Sequence, residues 1–220
     1  MVPGSEPASA LSGSTQGAII PAPLTDDSLI CPAAEIFDQD AFDALLRAQH
    51  GVSGSEARAA LIAHLKQAQK AGRARIEAAF VATPFAARKT TSAYGHLTDG
   101  LVRAALCIAT DLMHPNPTPT EGERLAVMAV GGYGRGEMAP FSDVDLLFLT
   151  PYKITPWAEM VIEATLFILW DLKLKVGHSS RTIRDCLRLG GEDFTIRTAL
   201  LDHRFLFGDK ALADKLDLRL

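Results

Sequence analysis

Apolar side chains recur at helical spacing through the first half of the chain. Between Glu35 and Met113 they return every three or four residues, which places them on one face of an α-helix. Ser53 and Glu56 have the S-x-x-E spacing of a capping box at a helix start. The pattern predicts a helical region whose apolar positions are Ala57, Leu61, Leu65, Ala68, Ile76 and Phe80, followed by Leu97, Leu101, Ala105, Ile108 and Leu112.

This pattern stops at a proline-rich stretch, residues 114–119. Proline removes a backbone donor and restricts the residue before it, so a helix ends here. We therefore predict a helical region over residues 31–119 and a second region over residues 120–220. Residues 1–30 are rich in Pro, Ser, Gly and Ala without periodicity, which predicts a disordered tail.

Beyond the boundary, short apolar runs alternate with helical patterns. The apolar runs at 125–130 and 144–149 are bounded by turn residues and predict strands, and residues 175–181 are predicted as a third strand. The patterns at 157–172 and 194–204 predict helices. Strands that alternate with helices indicate an α/β fold with a short sheet and flanking helices.

Composition and charge exclude several classes of protein. Hydrophobic residues make up 48% and charged residues 22%, and the net charge of −4 offers no global positive field for nucleic acid or an anionic membrane. The most apolar run, residues 161–170, is too short to span a bilayer. Three separated cysteines, Cys31, Cys107 and Cys186, indicate reduced thiols. We expect a cytoplasmic protein without a nucleic-acid or membrane partner.

Two aspartates at the start of the second strand are the candidate catalytic residues. Asp143 and Asp145 are two residues apart, so on a strand both carboxylates lie on one face. Close carboxylates repel and must share a proton or hold cations. Magnesium prefers oxygen ligands, often one or two carboxylates with substrate phosphates. We predict that the pair binds Mg²⁺; the alternative is an exposed, solvated strand start.

A pair of glycines is the candidate phosphate site. Gly131 and Gly132 follow the first predicted strand, where residues without a Cβ let phosphate approach the backbone N–H groups. Ser142 can add a hydroxyl donor. Arg135 either contacts a phosphate or pairs with an acid such as Glu137 and braces the loop; both alternatives stay open.

The third predicted strand adds further candidates. His178 on its face is a second-shell residue or a base, and the first of these is the more common case. Lys173, Lys175 and Arg181 either form a solvated edge or reach a triphosphate.

The motif spacing resembles a known superfamily. An apolar residue, two glycines, ten residues from Tyr133 to Ser142 and an Asp-apolar-Asp strand are similar to the signature of polymerase-β-like nucleotidyltransferases. The string GGYGRGEMAPFSDVDLLFL at 131–149 resembles the bacterial PII uridylyltransferase family, and three more stretches do as well. These are AYGHLTDGLV at 93–102, VGHSSRT at 176–182 and DFTIRTALLDHRFLFGD at 193–209. The resemblance covers roughly residues 70–220.

This resemblance implies a fold, an activity and two partners. The expected fold is a polymerase-β-like core with a short mixed sheet. The expected activity is magnesium-dependent transfer of UMP from UTP to a tyrosine hydroxyl of the nitrogen-regulatory protein PII, with release of pyrophosphate. Two alternatives stay open: an adenylylating nucleotidyltransferase on the same scaffold, and a non-catalytic nucleotide-binding module. The residues alone do not select uracil over adenine.

The chain also departs from the family pattern. Superfamily members often place a third carboxylate on a later strand, whereas the third predicted strand offers Val176, His178 and Ser180 on one face and no acid. Asp193 and Asp202 remain candidates. The family normally continues into phosphohydrolase and ACT domains, which these 220 residues lack. We expect a fragment of a longer protein, and neither uridylyl removal nor glutamine sensing is assigned to it.

Overall fold

The computed structural model describes residues 26–49 and 54–220. Ser53, in the predicted capping box, lies outside these ranges, as do residues 1–25 of the predicted tail. The next residues form a short 3₁₀ turn, Asp26–Ser28. Leu29 after it is 4% exposed and packs into the main hydrophobic cluster.

Long helices form the first region. Their bounds are Ala33–Ile36 (α1), Gln39–Ala48 (α2), Gly54–Ala82 (α3) and Ala87–Cys107 (α4), which continues as a π-helical segment, Ile108–Met113. Most of the predicted apolar positions are buried, among them Leu61, Leu65 and Ile76 on α3. Phe80 differs and is 38% exposed, because it lies near the end of α3. None of the helices in the described ranges is long and apolar enough to cross a membrane.

The second region is mixed α/β, which confirms the predicted fold class. After a 3₁₀ turn, Glu121–Glu123, its elements are Ala126–Ala129 (β1), Gly131–Gly134 (α5), Val144–Thr150 (β2), Pro156–Asp171 (α6), Val176–Thr182 (β3), Ile183–Glu192 (α7), Phe194–Leu201 (α8), Arg204–Gly208 (β4) and Lys210–Asp217 (α9). The sheet order is β3-β2-β1-β4. The β2–β3 pair is parallel, and the other two pairs are antiparallel.

One boundary prediction was wrong. The helix predicted over 194–204 ends at Leu201, and Arg204 begins a strand that pairs with β1. Tertiary contacts explain the difference, because Arg204 forms buried hydrogen bonds with residues from two other elements. No glycine or proline marks the end of α8 in the sequence.

Both faces of the sheet are covered by helices. One face, with Val127 and Phe148, belongs to the same buried cluster as residues of α3, α4 and α6. The other face, with Met128 and Leu147, packs against Leu200 of α8 and residues of α7 and α9. Because the first cluster contains residues from both sides of the predicted boundary at 119/120, the helical region and the sheet share one core.

Three strand starts and one strand end meet at the same edge of the sheet. The register pairs Ala129 with Leu146 on β2 and with Arg204 on β4, and it pairs Val144 with Val176 on β3. The residues just beyond the end of β1 therefore lie beside the starts of β2, β3 and β4. We call this edge the site edge.

Candidate active site

Asp143 and Asp145 lie at the site edge, where the sequence places them. Asp143 directly precedes β2 and is exposed, whereas Asp145 is the second residue of β2 and is partly buried. The backbone N–H of Val130 donates to the carbonyl oxygen of Asp145 at 3.1 Å. Burial, and then the negative charge of Asp143, raises the pKa of the Asp145 carboxyl. The two carboxylates are therefore close enough to repel, the situation that a bound cation relieves.

The glycine pair faces this carboxylate. Residues Gly131–Gly134 form a single helical turn, α5, and Gly131 has φ of 60°, a conformation that favours glycine. A Cβ on Gly131 would lie 3.8 Å from Oδ2 of Asp145. A Cβ on Gly132 would meet only the Arg135 guanidinium, at 3.7 Å, within 4 Å. The structure thus brings a bare backbone turn and the acidic pair together.

Ser142 and Arg135 brace the loop between the two motifs. The Ser142 hydroxyl accepts from the N–H of Ala139 at 3.0 Å, and the Ser142 N–H donates to the Ala139 carbonyl at 3.1 Å. Arg135 forms an ion pair with Asp202. Of the two alternatives for Arg135, the structure shows pairing with an acid, and the acid is Asp202.

The third strand presents no acid on either face. Because Asp145 pairs with Gly177 in the β2–β3 register, its face of β3 carries Gly177, Ser179 and Arg181, and His178 lies on the other face. Within residues 26–49 and 54–220, no three His, Cys, Asp or Glu side chains are grouped to hold a metal. The donor set of two carboxylates still fits Mg²⁺, which commonly completes its shell with substrate phosphates and water.

The two remaining acid candidates have other contacts. Asp202 pairs with Arg135. Asp193 accepts from the backbone N–H groups of Thr195 and Ile196 as the N-cap of α8. Neither is grouped with Asp143 and Asp145 as a metal-binding set.

Gly177 is a site residue that sequence reasoning missed. A Cβ at this position would lie 2.4 Å from Oδ1 of Asp145, so the carboxylate occupies the space of the absent side chain. The Asp145 side chain is thereby held between Gly131 on one side and Gly177 on the other. The pairing depends on the register of two strands separated by α6, and no local motif indicates it.

We expect Gly177→Ala to lower the rate of the nucleotidyl transfer predicted from the sequence about a hundredfold, the order of loss from a 1 Å misplacement at a reacting centre. The added methyl group meets only the flexible Asp145 carboxylate, which must turn away, so the thermal midpoint is expected to change little. Gly191→Ala is the matched control, because a Cβ there meets nothing within 4 Å. A Gly177→Ala variant with full activity would show that the carboxylate does not need this space.

A buried ion pair is hydrogen-bonded to the backbone of the glycine turn. Arg204 donates to both carboxylate oxygens of Asp99 on α4, at 2.6 and 2.9 Å, and to the carbonyl oxygens of Gly134 and Tyr133, at 3.2 and 3.3 Å. Arg204 is 9% exposed and Asp99 5%. Burial lowers the pKa of Arg204, but the Asp99 carboxylate outweighs it, so the pKa is raised overall. The first helical region therefore fixes the turn that faces Asp145.

Tyr133 completes this buried group. Its side chain is 2% exposed, and the Arg204 guanidinium lies 5.6 Å from its ring centroid. Burial, and then the charge of Asp99, raises the Tyr133 pKa well above its usual value. Tyr133 thus packs inside the protein and cannot stack on a bound base.

Comparisons with known proteins identify similar sequences. The family model for glutamate-ammonia ligase adenylyltransferase matches residues 23–170. Three relatives are named bifunctional uridylyltransferase/uridylyl-removing enzyme. The protein from Ruegeria pomeroyi is 66% identical over 74% of this chain and 18% of the relative, and the protein from Cereibacter sphaeroides is 56% identical over 86% of this chain and 21% of the relative. The protein from Azospirillum brasilense is 48% identical over 79% of this chain and 18% of the relative. The chain spans about a fifth of the length of these relatives, 18–21%.

Proposed function

The chain belongs to the glutamate-ammonia ligase adenylyltransferase family of nucleotidyltransferases, and we propose that it transfers UMP from UTP to a tyrosine hydroxyl of the regulatory protein PII, releasing pyrophosphate. One observation supports this most directly: the Asp145 carboxylate lies against the bare backbone of Gly131 at the site edge. A triphosphate needs both an anion-binding backbone turn and acidic ligands for its cation. The names of the relatives support the uridylyl group.

Each part of the site has a separate role in this reaction. Asp143 and Asp145 would hold Mg²⁺, which supplies charge neutralisation on the triphosphate when bound. The backbone N–H groups of Gly131 and Gly132 donate to phosphate oxygens and orient the α-phosphorus. The tyrosine oxygen then bonds to that phosphorus, its proton passes to water, and the bridging P–O bond breaks with its electron pair leaving on pyrophosphate. Positioning and charge stabilisation account for most of such catalysis.

Adenylyl transfer is the second candidate, because the matching family model is that of an adenylyltransferase. A panel of UTP, ATP, CTP and GTP labelled at the α-phosphate, with magnesium and a PII protein as acceptor, distinguishes the two. Label transferred from UTP to PII supports our proposal. Label transferred from ATP in preference to UTP contradicts it.

A non-catalytic nucleotide-binding module is the third candidate. It is favoured by the absence of a third grouped acid in the part of the chain that the structure describes. Binding of UTP with magnesium but without pyrophosphate release would support this alternative over catalysis. In that case a chelator that removes magnesium would weaken UTP binding, and no pyrophosphate would be released with or without the chelator.

We expect Gly132→Ala to weaken UTP binding about tenfold, since a methyl group occupies the space where phosphate approaches the N–H groups. The protein itself tolerates this methyl, whose nearest contact is the Arg135 side chain at 3.7 Å. Calorimetry with UTP and magnesium measures the change. Gly54→Ala serves as the control, because a Cβ there meets nothing within 4 Å. Unchanged UTP affinity in Gly132→Ala would show that phosphate does not bind at this turn.

We place this activity in the cytoplasm. The three cysteines, Cys31, Cys107 and Cys186, are free thiols, which supports a reducing compartment. Uridylyl removal, which the names of the relatives include, is not proposed for this chain.

A further inference from the structure

A cavity of about 160 Å³ opens between the sheet and α8. Its sheet wall consists of Val130, Leu147, Ser179 and Arg181, and its other wall is the face of α8 formed by residues 195, 196, 199 and 200. We call this cavity the α8 slot. The chemistry proposed above gives it no role.

The slot lies on the same face of the sheet as Asp145. Leu147 follows Asp145 by two residues, so the slot begins roughly 7 Å along β2 from the carboxylate. Ser179 pairs with Leu147 across the sheet, and Arg181 pairs with Leu149. With increasing distance from Asp145, this face of the sheet therefore presents first the Ser179 hydroxyl and then the Arg181 guanidinium. A nucleoside triphosphate held by its phosphates at the site edge is long enough to reach this range with its ribose and base.

The walls of the slot combine donors with apolar surface. Arg181 is half-buried, and within residues 26–49 and 54–220 no carboxylate forms an ion pair with it. A guanidinium without a counter-charge favours acceptor atoms on a ligand. Ser179 and Thr195 add hydroxyl groups, whereas Leu147 and Ile196 supply apolar contacts. The slot thus suits an unsaturated ring that carries acceptor atoms.

Its size suits one ring. A cavity of on the order of 150 Å³ in a protein interior binds a single benzene molecule, and the α8 slot is about 160 Å³. A pyrimidine is one six-membered ring, whereas a purine is two fused rings. Uracil also carries two carbonyl acceptors, while cytosine replaces one of them with an amino donor that a guanidinium cannot pair with.

We propose that the α8 slot binds the uracil base of UTP, with Arg181 donating to a ring carbonyl. This inference rests on the proposed function and extends it, because it assigns the residues that select uracil over adenine. The hydrogen-bond donors of the slot also favour the uracil base over the phenol ring of the acceptor tyrosine as its occupant. A phenol that places its oxygen at the α-phosphorus has no further acceptor to offer Arg181.

The test compares affinities for nucleotides and for the phosphate group alone. In Arg181→Met, which keeps the aliphatic part of the side chain and removes its donors, UTP affinity measured by calorimetry with magnesium is expected to fall about tenfold. Affinity for inorganic tripolyphosphate is expected to stay within about twofold, and the preference for UTP over ATP is expected to shrink by about the same tenfold. Arg184→Met, an exposed position on α7, is the matched control.

A second variant tests the space itself. Ala199→Leu fills the slot from α8 and is expected to weaken UTP binding while tripolyphosphate binding is kept. Ala211→Leu, at an exposed position of α9, is its control, and the thermal midpoint of each variant checks the fold.

Three results would overturn the assignment. Equal losses for UTP and tripolyphosphate in Arg181→Met would place a phosphate at Arg181. A raised KM for the acceptor protein with unchanged UTP affinity would place the tyrosine ring in the slot. Unchanged UTP and ATP affinities in both variants would remove the slot from nucleotide binding. Failure of the proposed function differs from all three, because wild-type protein would then transfer no UMP to PII.

Discussion

Asp145→Asn is expected to reduce UMP transfer by at least about a thousandfold while the protein stays folded. Asparagine keeps the shape of the side chain and removes the charge that a magnesium ion needs. The charged form of Asp145 is already disfavoured, since burial and then the Asp143 charge raise its pKa. Removing this charge therefore relieves repulsion in the metal-free protein, and its thermal midpoint is expected to stay the same or rise. The measurement is transfer of α-labelled UMP to PII.

A binding readout separates loss of metal from loss of structure. Ligands that bind only the folded state raise its thermal midpoint, so magnesium with UTP is expected to stabilise the wild-type protein. The same addition is expected to have little effect on Asp145→Asn or Asp143→Asn. Glu163→Gln, which removes an exposed carboxylate from α6, is the matched control and should behave like wild type. Substantial transfer by either aspartate variant would show that the pair is not the catalytic metal site.

The parts of the site that could be predicted from sequence are local. Asp143 and Asp145 were predicted to lie together because side chains alternate along a strand, and in the structure Asp143 directly precedes β2 while Asp145 is its second residue. The Gly131–Gly132 turn follows β1, so the antiparallel pairing of β1 with β2 brings it to the start of β2. The apolar runs that predict both strands are short and bounded, and both strands are confirmed.

The parts that could not be predicted depend on distant pairs. Gly177 meets Asp145 only through the register of β2 with β3. Arg204 meets Asp99 across 105 residues, and Arg204, the first residue of β4, was predicted as the last residue of a helix. The apolar residues of α8 are followed by no glycine or proline, and the pairing of β4 with β1 that ends the helix is a tertiary contact. No period or motif in the sequence indicates such contacts.

Asp99→Asn is expected to lower the free energy of unfolding by about 3–5 kcal/mol, because it leaves the buried Arg204 charge without its carboxylate. The pair is bidentate, and the two side chains are only 10% and 8% exposed. Chemical denaturation measures the loss. Glu35→Gln is the matched control, since the Arg75–Glu35 pair has side chains 44% and 48% exposed and should change stability by less than about 1 kcal/mol.

The double variant Asp99→Leu, Arg204→Met separates stability from site geometry. Replacing both charges by apolar side chains of similar size removes the uncompensated charge, so most of the lost stability is expected to return. The carbonyl oxygens of Tyr133 and Gly134 still lack the donors that Arg204 gives them, at 3.3 and 3.2 Å. UTP affinity is therefore expected to be weaker than in the wild type, although the double variant is again stable. Wild-type UTP affinity in the double variant would mean that Arg204 stabilises the fold without positioning the phosphate-binding turn.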